Sequence, residues 1–94
     1  MKKKFNLNVS NGAIVAVDYI MQKPSGLVAV GKVMNGNVST GDKVTIQANG
    51  QEPIADEIAR IEFYGEKILV AEANKEIGVL LKNTSKDKLA YYLS

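Results

Sequence analysis

Short hydrophobic segments separated by glycine-containing turns are the feature that most restricts the fold of this chain. Asn-Gly pairs occur at Asn11-Gly12, Asn35-Gly36 and Asn49-Gly50, and such pairs tolerate the positive φ angles of tight hairpin turns. The segments between the turns are rich in β-branched residues and recur at intervals of about 8 to 12 residues, as in antiparallel barrels and sandwiches. The pattern therefore predicts an all-β fold.

One internal segment, Ile54 to Phe63, carries two conflicting patterns. Ile54, Ile58 and Ile61 recur at spacings of four and three, which is typical of a helix face. Ile61 and Phe63, however, alternate with polar neighbours as they would in a strand. A long strand with a bulge near Ala59 reconciles both patterns, because an extra residue shifts the alternation by one. The pattern favours that strand and leaves a short helix as the alternative; the family resemblance described below implies the strand.

The chain has 94 residues, a length that suits one domain. We expect residues 1–12 to form an N-terminal extension or strand and residues 13–84 to form the core. In residues 85–94, Ser85-Lys86-Asp87 predicts a turn or a single helical turn, and Leu89 to Leu93 predicts a closing strand.

The residues that are absent exclude several kinds of chemistry. The chain contains no histidine and no cysteine, so it lacks Ser-His-Asp triads, thiolate nucleophiles and the commonest zinc ligands. No phosphate-binding GxxxxGK[ST] string occurs, and no apolar run approaches the roughly 18 residues of a membrane span. We expect a cytoplasmic, non-catalytic protein without metal, cofactor or membrane contact, because cysteine-free small domains fit a reducing compartment.

Charge is unevenly distributed along the chain. Residues 1–51 hold six lysines and two acids, residues 52–76 hold three basic and seven acidic residues, and residues 77–94 hold three lysines and one aspartate. Basic ends therefore flank an acidic middle. Such a distribution can orient an anionic partner along one side of the fold.

Two stretches carry a family resemblance. GLVAVGKVMNGNVSTGDKVTIQA, residues 26–48, and IARIEFYGEKILVAEANKEIGVLLKN, residues 58–83, resemble the β-barrel second domain of translational GTPases such as elongation factor Tu. The resemblance implies a closed six- or seven-stranded antiparallel Greek-key barrel. It implies no GTP binding by this chain, because the nucleotide domain of those proteins has no counterpart here.

The resemblance also suggests a partner, which is RNA (tRNA or ribosomal RNA) or a ribonucleoprotein. By position, Glu62 matches a glutamate that lies near the terminal adenosine in the tRNA carriers, and Lys82 matches a basic residue that ends a strand. With neighbouring cations and an aromatic residue, the candidate RNA-binding set is Lys32, Lys43, Glu62, Tyr64, Lys82, Lys86 and Lys88. Two alternatives stay open, a protein-docking barrel and a homo-oligomeric structural subunit. One basic face would favour RNA, whereas a large exposed apolar patch would favour a protein partner.

Overall fold

A computed structural model of the chain describes residues 4–47 and 52–93. Within these residues the chain forms strands and a single helix near the C-terminus. The elements are β1 (Phe5–Val9), β2 (Ile14–Lys23), β3 (Gly26–Asn35), β4 (Val38–Ser39), β5 (Lys43–Ile46), β6 (Ile54–Phe63), β7 (Glu66–Ile68), β8 (Val70–Ala71), β9 (Glu76–Leu81) and α1 (Lys86–Leu93).

Six of the strands close into an antiparallel barrel. Their neighbours run in the order β5, β1, β2, β3, β9 and β6, and β6 pairs back onto β5 through Ile54–Glu57 against Lys43–Ile46. Strand β7 extends the sheet from β6, and β4 pairs with β8 in a separate two-stranded sheet. The predicted closed antiparallel barrel is confirmed. Closure leaves few unpaired main-chain groups among these six strands.

The barrel interior is aliphatic and follows from the alternation of each strand. Leu7 and Val9 of β1 point inward together with Val15 and Val17 of β2. Past Val17 the register between β2 and β3 shifts, so that Ile20 becomes the next buried residue of β2. The core is built mainly from side chains without polar atoms, and polar side chains lie mostly on the outer face.

The ambiguous segment is strand β6, and its irregularity lies where the sequence predicts it. The register between β6 and β9 shifts between Ile58 and Arg60, which leaves Ala59 as the extra residue. Ile54, Ile58 and Ile61 all point into the core. The bulge produces their helix-like spacing, because it resets the alternation in the middle of a strand.

The predicted closing strand at Leu89 to Leu93 is wrong, because these residues belong to helix α1. Ser85 caps the helix, since its Oγ accepts a hydrogen bond from the Lys88 N–H at 3.1 Å. Leu89 and Tyr92, three residues apart on one helix face, are both buried against the barrel. The barrel is already closed by the pairing of β5 with β6, so the C-terminal residues cover its core instead of extending its wall.

The predicted turn at Asn11-Gly12 joins the paired strands β1 and β2. The turn at Asn35-Gly36 leads from β3 to β4, which pairs with β8 and not with β3. Both glycines have positive φ. The third pair, Asn49-Gly50, falls outside the described residues. No helix in residues 4–47 and 52–93 is long and apolar enough to cross a membrane.

Candidate functional site

A groove of about 670 Å³ runs across the outer face of strands β2, β3, β9 and β6. Strand register creates it, because Val30 lies opposite both Tyr19 and Gly78, and Gly78 lies opposite Glu62. Gly78, which has no side chain, forms part of the bottom of the groove. A Cβ added there would lie 3.0 Å from Val28 Cγ1 and 3.9 Å from the Glu62 Cβ, so a side chain at this position would fill the groove.

Three lysines line the groove. Lys32 extends from β3 and is exposed, and the β3–β9 register places it opposite Glu76. Lys75 immediately precedes β9, and its Nζ lies 4.7 Å from the centre of the Phe63 ring, a cation–π contact. Lys23 ends β2. With Glu62 and Glu76 as the acidic lining residues, the groove carries an excess of one positive charge.

Glu62 is the best-connected side chain of the groove. Its carboxylate accepts a hydrogen bond from Lys23 Nζ at 3.2 Å, and Arg60 Nη2 lies 2.9 Å from its other oxygen. The Lys23 ammonium, together with Arg60, holds the pKa of Glu62 below its usual range, against the opposing effect of burial. Glu62 is therefore ionised at neutral pH, and its charge is compensated by two cations.

Two tyrosines stand at the rim of the groove. Tyr64 and Gly65 form the two-residue turn between β6 and β7, with φ angles of 51° and 79°, as in a type I′ hairpin turn. The turn leaves Tyr64 91% exposed, and its ring meets the Phe63 ring edge-on with centroids 4.6 Å apart. Tyr19 is 42% exposed and lines the groove from β2.

The structure brings together three of the seven predicted site residues and separates the other four from them. Lys32, Glu62 and Tyr64 line the groove. Lys43 and Lys82 instead meet at Glu57, where their Nζ atoms lie 2.8 and 3.7 Å from its carboxylate oxygens. These contacts lower the pKa of Glu57 and raise that of Lys43.

Lys86 and Lys88 lie on α1, and no residue of that helix lines the groove. The other two lysines of the groove and its second exposed tyrosine were not among the predicted site residues: Lys23, Lys75 and Tyr19. Lys23 and Lys75 lie at strand ends, where no periodicity marks a face, and only strand register places them beside Lys32 and Glu62.

No family model matches the chain. Within residues 4–47 and 52–93, no group of three or more acidic residues is placed so that it could hold a metal ion.

Proposed function

We propose that this protein is a non-catalytic binding module that holds a single-stranded segment of RNA, from tRNA or ribosomal RNA, in the groove. The observation that carries the proposal is that one groove combines three lysines with two exposed tyrosine rings. Lysines supply the sequence-independent attraction to phosphates, and aromatic rings stack on unpaired bases. A groove with both suits a single strand better than a duplex, whose bases are not available for stacking.

The charge arrangement supports an anionic ligand, because three lysines outnumber two glutamates in the groove. Lys23 and Arg60 already compensate Glu62, so this carboxylate contributes little net repulsion. Lys32 and Lys75 form no ion pair within the described residues, which leaves both ammonium groups available to phosphates. The resemblance to the elongation factor Tu barrel agrees with this assignment, since Glu62 matches a residue near RNA in those proteins. On this proposal the protein works in the cytoplasm, beside the translation machinery.

The test is binding of fluorescein-labelled single-stranded RNA 12-mers, and of tRNA, measured by fluorescence anisotropy at two salt concentrations. If Lys32 and Lys75 contact phosphates, the logarithm of affinity falls with the logarithm of salt with a slope of about −1.4. Affinity should then drop about sevenfold between roughly 50 and 200 mM salt. The variant Lys32→Glu with Lys75→Glu should lose at least about tenfold in affinity at the lower salt.

Two variants make the test specific to the groove. Lys86→Glu with Lys88→Glu changes the net charge by the same amount on α1, and we expect it to bind RNA nearly as the original protein does. Tyr64→Asn removes the exposed ring but keeps a residue that tolerates positive φ, and it should weaken binding about 10- to 100-fold through lost stacking. Equal losses in the groove variant and the helix variant would reject the groove as the site.

A further inference from the structure

A second depression, which we call the Leu69 hollow, lies on the other side of the Arg60–Glu62 ion pair from the groove. It has a volume of about 340 Å³, and its wall is largely aliphatic. The aliphatic side chains come from Ala59 at the β6 bulge, from Leu80 of β9, and from Ile68 and Leu69. A cavity of this size lies near the lower end of the range for binding sites, about 300 to 1,000 Å³. It can accept one or two side chains.

The exposed part of this wall is held in place. Leu69 is 77% exposed, and Val70, which follows it, is 49% exposed. The segment is nevertheless anchored, because the Thr40 N–H donates to the Leu69 carbonyl at 2.9 Å and Val70 pairs with Ser39 between β8 and β4. An apolar surface on an ordered backbone loses little conformational entropy when it is covered by a partner.

The charges around the hollow are positive. Arg60 and Lys67 line it, and no carboxylate does. Lys67 forms no ion pair within residues 4–47 and 52–93. The Arg60 Nε is buried and has no hydrogen-bond partner there, although Nη2 of the same side chain contacts Glu62 and Ser25. The hollow therefore combines aliphatic surface with the unpaired cation Lys67 and with Arg60, whose Nη2 already pairs with Glu62 and whose buried Nε lacks an acceptor in the described residues.

We propose that the Leu69 hollow is a docking site for a protein segment that presents a branched aliphatic side chain beside acidic residues. The aliphatic side chain covers Leu69 and Leu80, and a neighbouring carboxylate meets Lys67. A nucleic acid is a poorer match, since the hollow has no aromatic ring for base stacking and phosphate gains nothing from four aliphatic side chains. The proposal rests on a surface separate from the RNA groove and does not depend on the groove's function.

The probe is a capped peptide in which one leucine is flanked by glutamates, Gly-Ser-Glu-Leu-Glu-Glu-Ser-Gly, titrated into ¹⁵N-labelled protein to about 1 mM, a range that detects weak binding. We expect amide shift changes at Lys67, Leu69 and Arg60, and none at Lys32. A peptide with alanine in place of the leucine should bind about tenfold or more weakly, given the apolar area lost. A peptide with lysines in place of the glutamates should not bind.

Protein variants complete the test. Leu69→Ser should weaken peptide binding about tenfold or more, whereas Met34→Ser, which also removes an exposed apolar side chain, should leave it unchanged. Four results would overturn the proposal: absence of any shift, equal binding of the lysine peptide, shifts confined to the groove, or RNA binding reduced by Leu69→Ser as strongly as by Lys32→Glu with Lys75→Glu. Sedimentation that showed a dimer lost in Leu69→Ser would make a second copy of the chain the occupant instead.

Discussion

Replacing Asp56 should destabilise the barrel more than replacing any exposed acid. Asp56 is 5% exposed, and its carboxylate accepts hydrogen bonds from the Thr84 N–H and the Glu57 N–H at 2.7 Å each and from the Asn83 N–H at 3.0 Å. The Thr84 hydroxyl also donates to it. This cluster fixes the chain as it leaves β9 and turns toward α1, so Asp56→Ala leaves three backbone donors without their acceptor.

The expected loss follows from these contacts. A hydrogen bond to a charged group contributes about 1.5 to 3 kcal/mol, and contributions within one cluster do not add fully. Because Asn83 lies at the surface and water can replace one bond, we expect Asp56→Ala to lower the free energy of unfolding by about 3 kcal/mol. Asp56→Asn keeps one acceptor oxygen and should cost about 2 kcal/mol. These losses are large against the roughly 5 to 15 kcal/mol that stabilises a small domain.

The same cluster gives the effect a pH dependence. Burial alone would raise the pKa of Asp56, but the hydrogen bonds from Thr84, Glu57 and Asn83 outweigh it and place the pKa below its usual range. A carboxyl with a lowered folded-state pKa stabilises the protein above its unfolded pKa of about 3.9, and this contribution is lost as pH falls through the folded value. The difference in unfolding free energy between the original protein and Asp56→Asn should therefore become smaller as the pH falls from 7 toward about 2.

Urea unfolding followed by far-UV circular dichroism measures these differences. Asp18→Asn is the matched control, since Asp18 is half exposed and its only ion pair in the described part of the chain, with Lys4, spans 3.9 Å. The control should change stability by no more than about 0.5 kcal/mol. Two results would refute this role of the Asp56 cluster. One is a loss of unfolding free energy in Asp56→Asn no larger than that in Asp18→Asn; the other is a loss in Asp56→Asn that stays constant between pH 7 and the acid range.

Two further predictions concern packing and the C-terminal helix. A Cβ at Gly31 would lie 2.2 Å from the Ala16 carbonyl oxygen, so Gly31→Ala should lower the free energy of unfolding, measured with heat or urea, by at least about 2 kcal/mol. Gly12→Ala is the control: a Cβ there meets nothing within 4 Å, and only the φ of 97° is unfavourable. It should lower the free energy of unfolding by about 1 kcal/mol. The Tyr92 hydroxyl lies 2.7 Å from the Glu52 carbonyl oxygen and 3.1 Å from that of Ile46. Tyr92→Phe should therefore lower the unfolding free energy by about 1 kcal/mol, and an unchanged value would show that water replaces these bonds.

The barrel could be predicted from sequence because its determinants are local. Asn-Gly turns and alternating β-branched segments indicate chain reversals and strands without knowledge of the rest of the chain, and the bulge at Ala59 explains the conflicting periodicity of β6. The C-terminal helix could not be predicted in the same way. The sequence fits both structures, since Leu89 and Tyr92 suit a helix face and Tyr91 and Leu93 suit an alternating strand. The helix forms because the pairing of β5 with β6 already closes the barrel and leaves no place in it for another strand.

The candidate site was predictable only in part, since register assembles it. Lys32, Glu62 and Tyr64 lie on strands or turns that the sequence identifies, whereas Lys23 and Lys75 join them through pairings between distant segments. Strand register also explains why Lys43 lies outside the groove. Its partner Glu57 lies directly opposite it on β6, and a cross-strand ion pair of this kind is visible only once the register is known.

The Arg60–Glu62 ion pair is the boundary that makes two different surfaces out of one sheet face. On one side Glu62 engages Lys23, and the groove keeps Lys32 and Lys75 near exposed rings; on the other side Arg60 and Lys67 flank aliphatic side chains. Each depression therefore contains at least one lysine that forms no ion pair in the described part of the chain, so charge alone does not distinguish the two proposed partners. The side chains between the charges make the distinction, because rings favour bases and aliphatic groups favour a protein segment. Tyr64→Asn and Leu69→Ser thus separate the two proposed activities better than any change of charge.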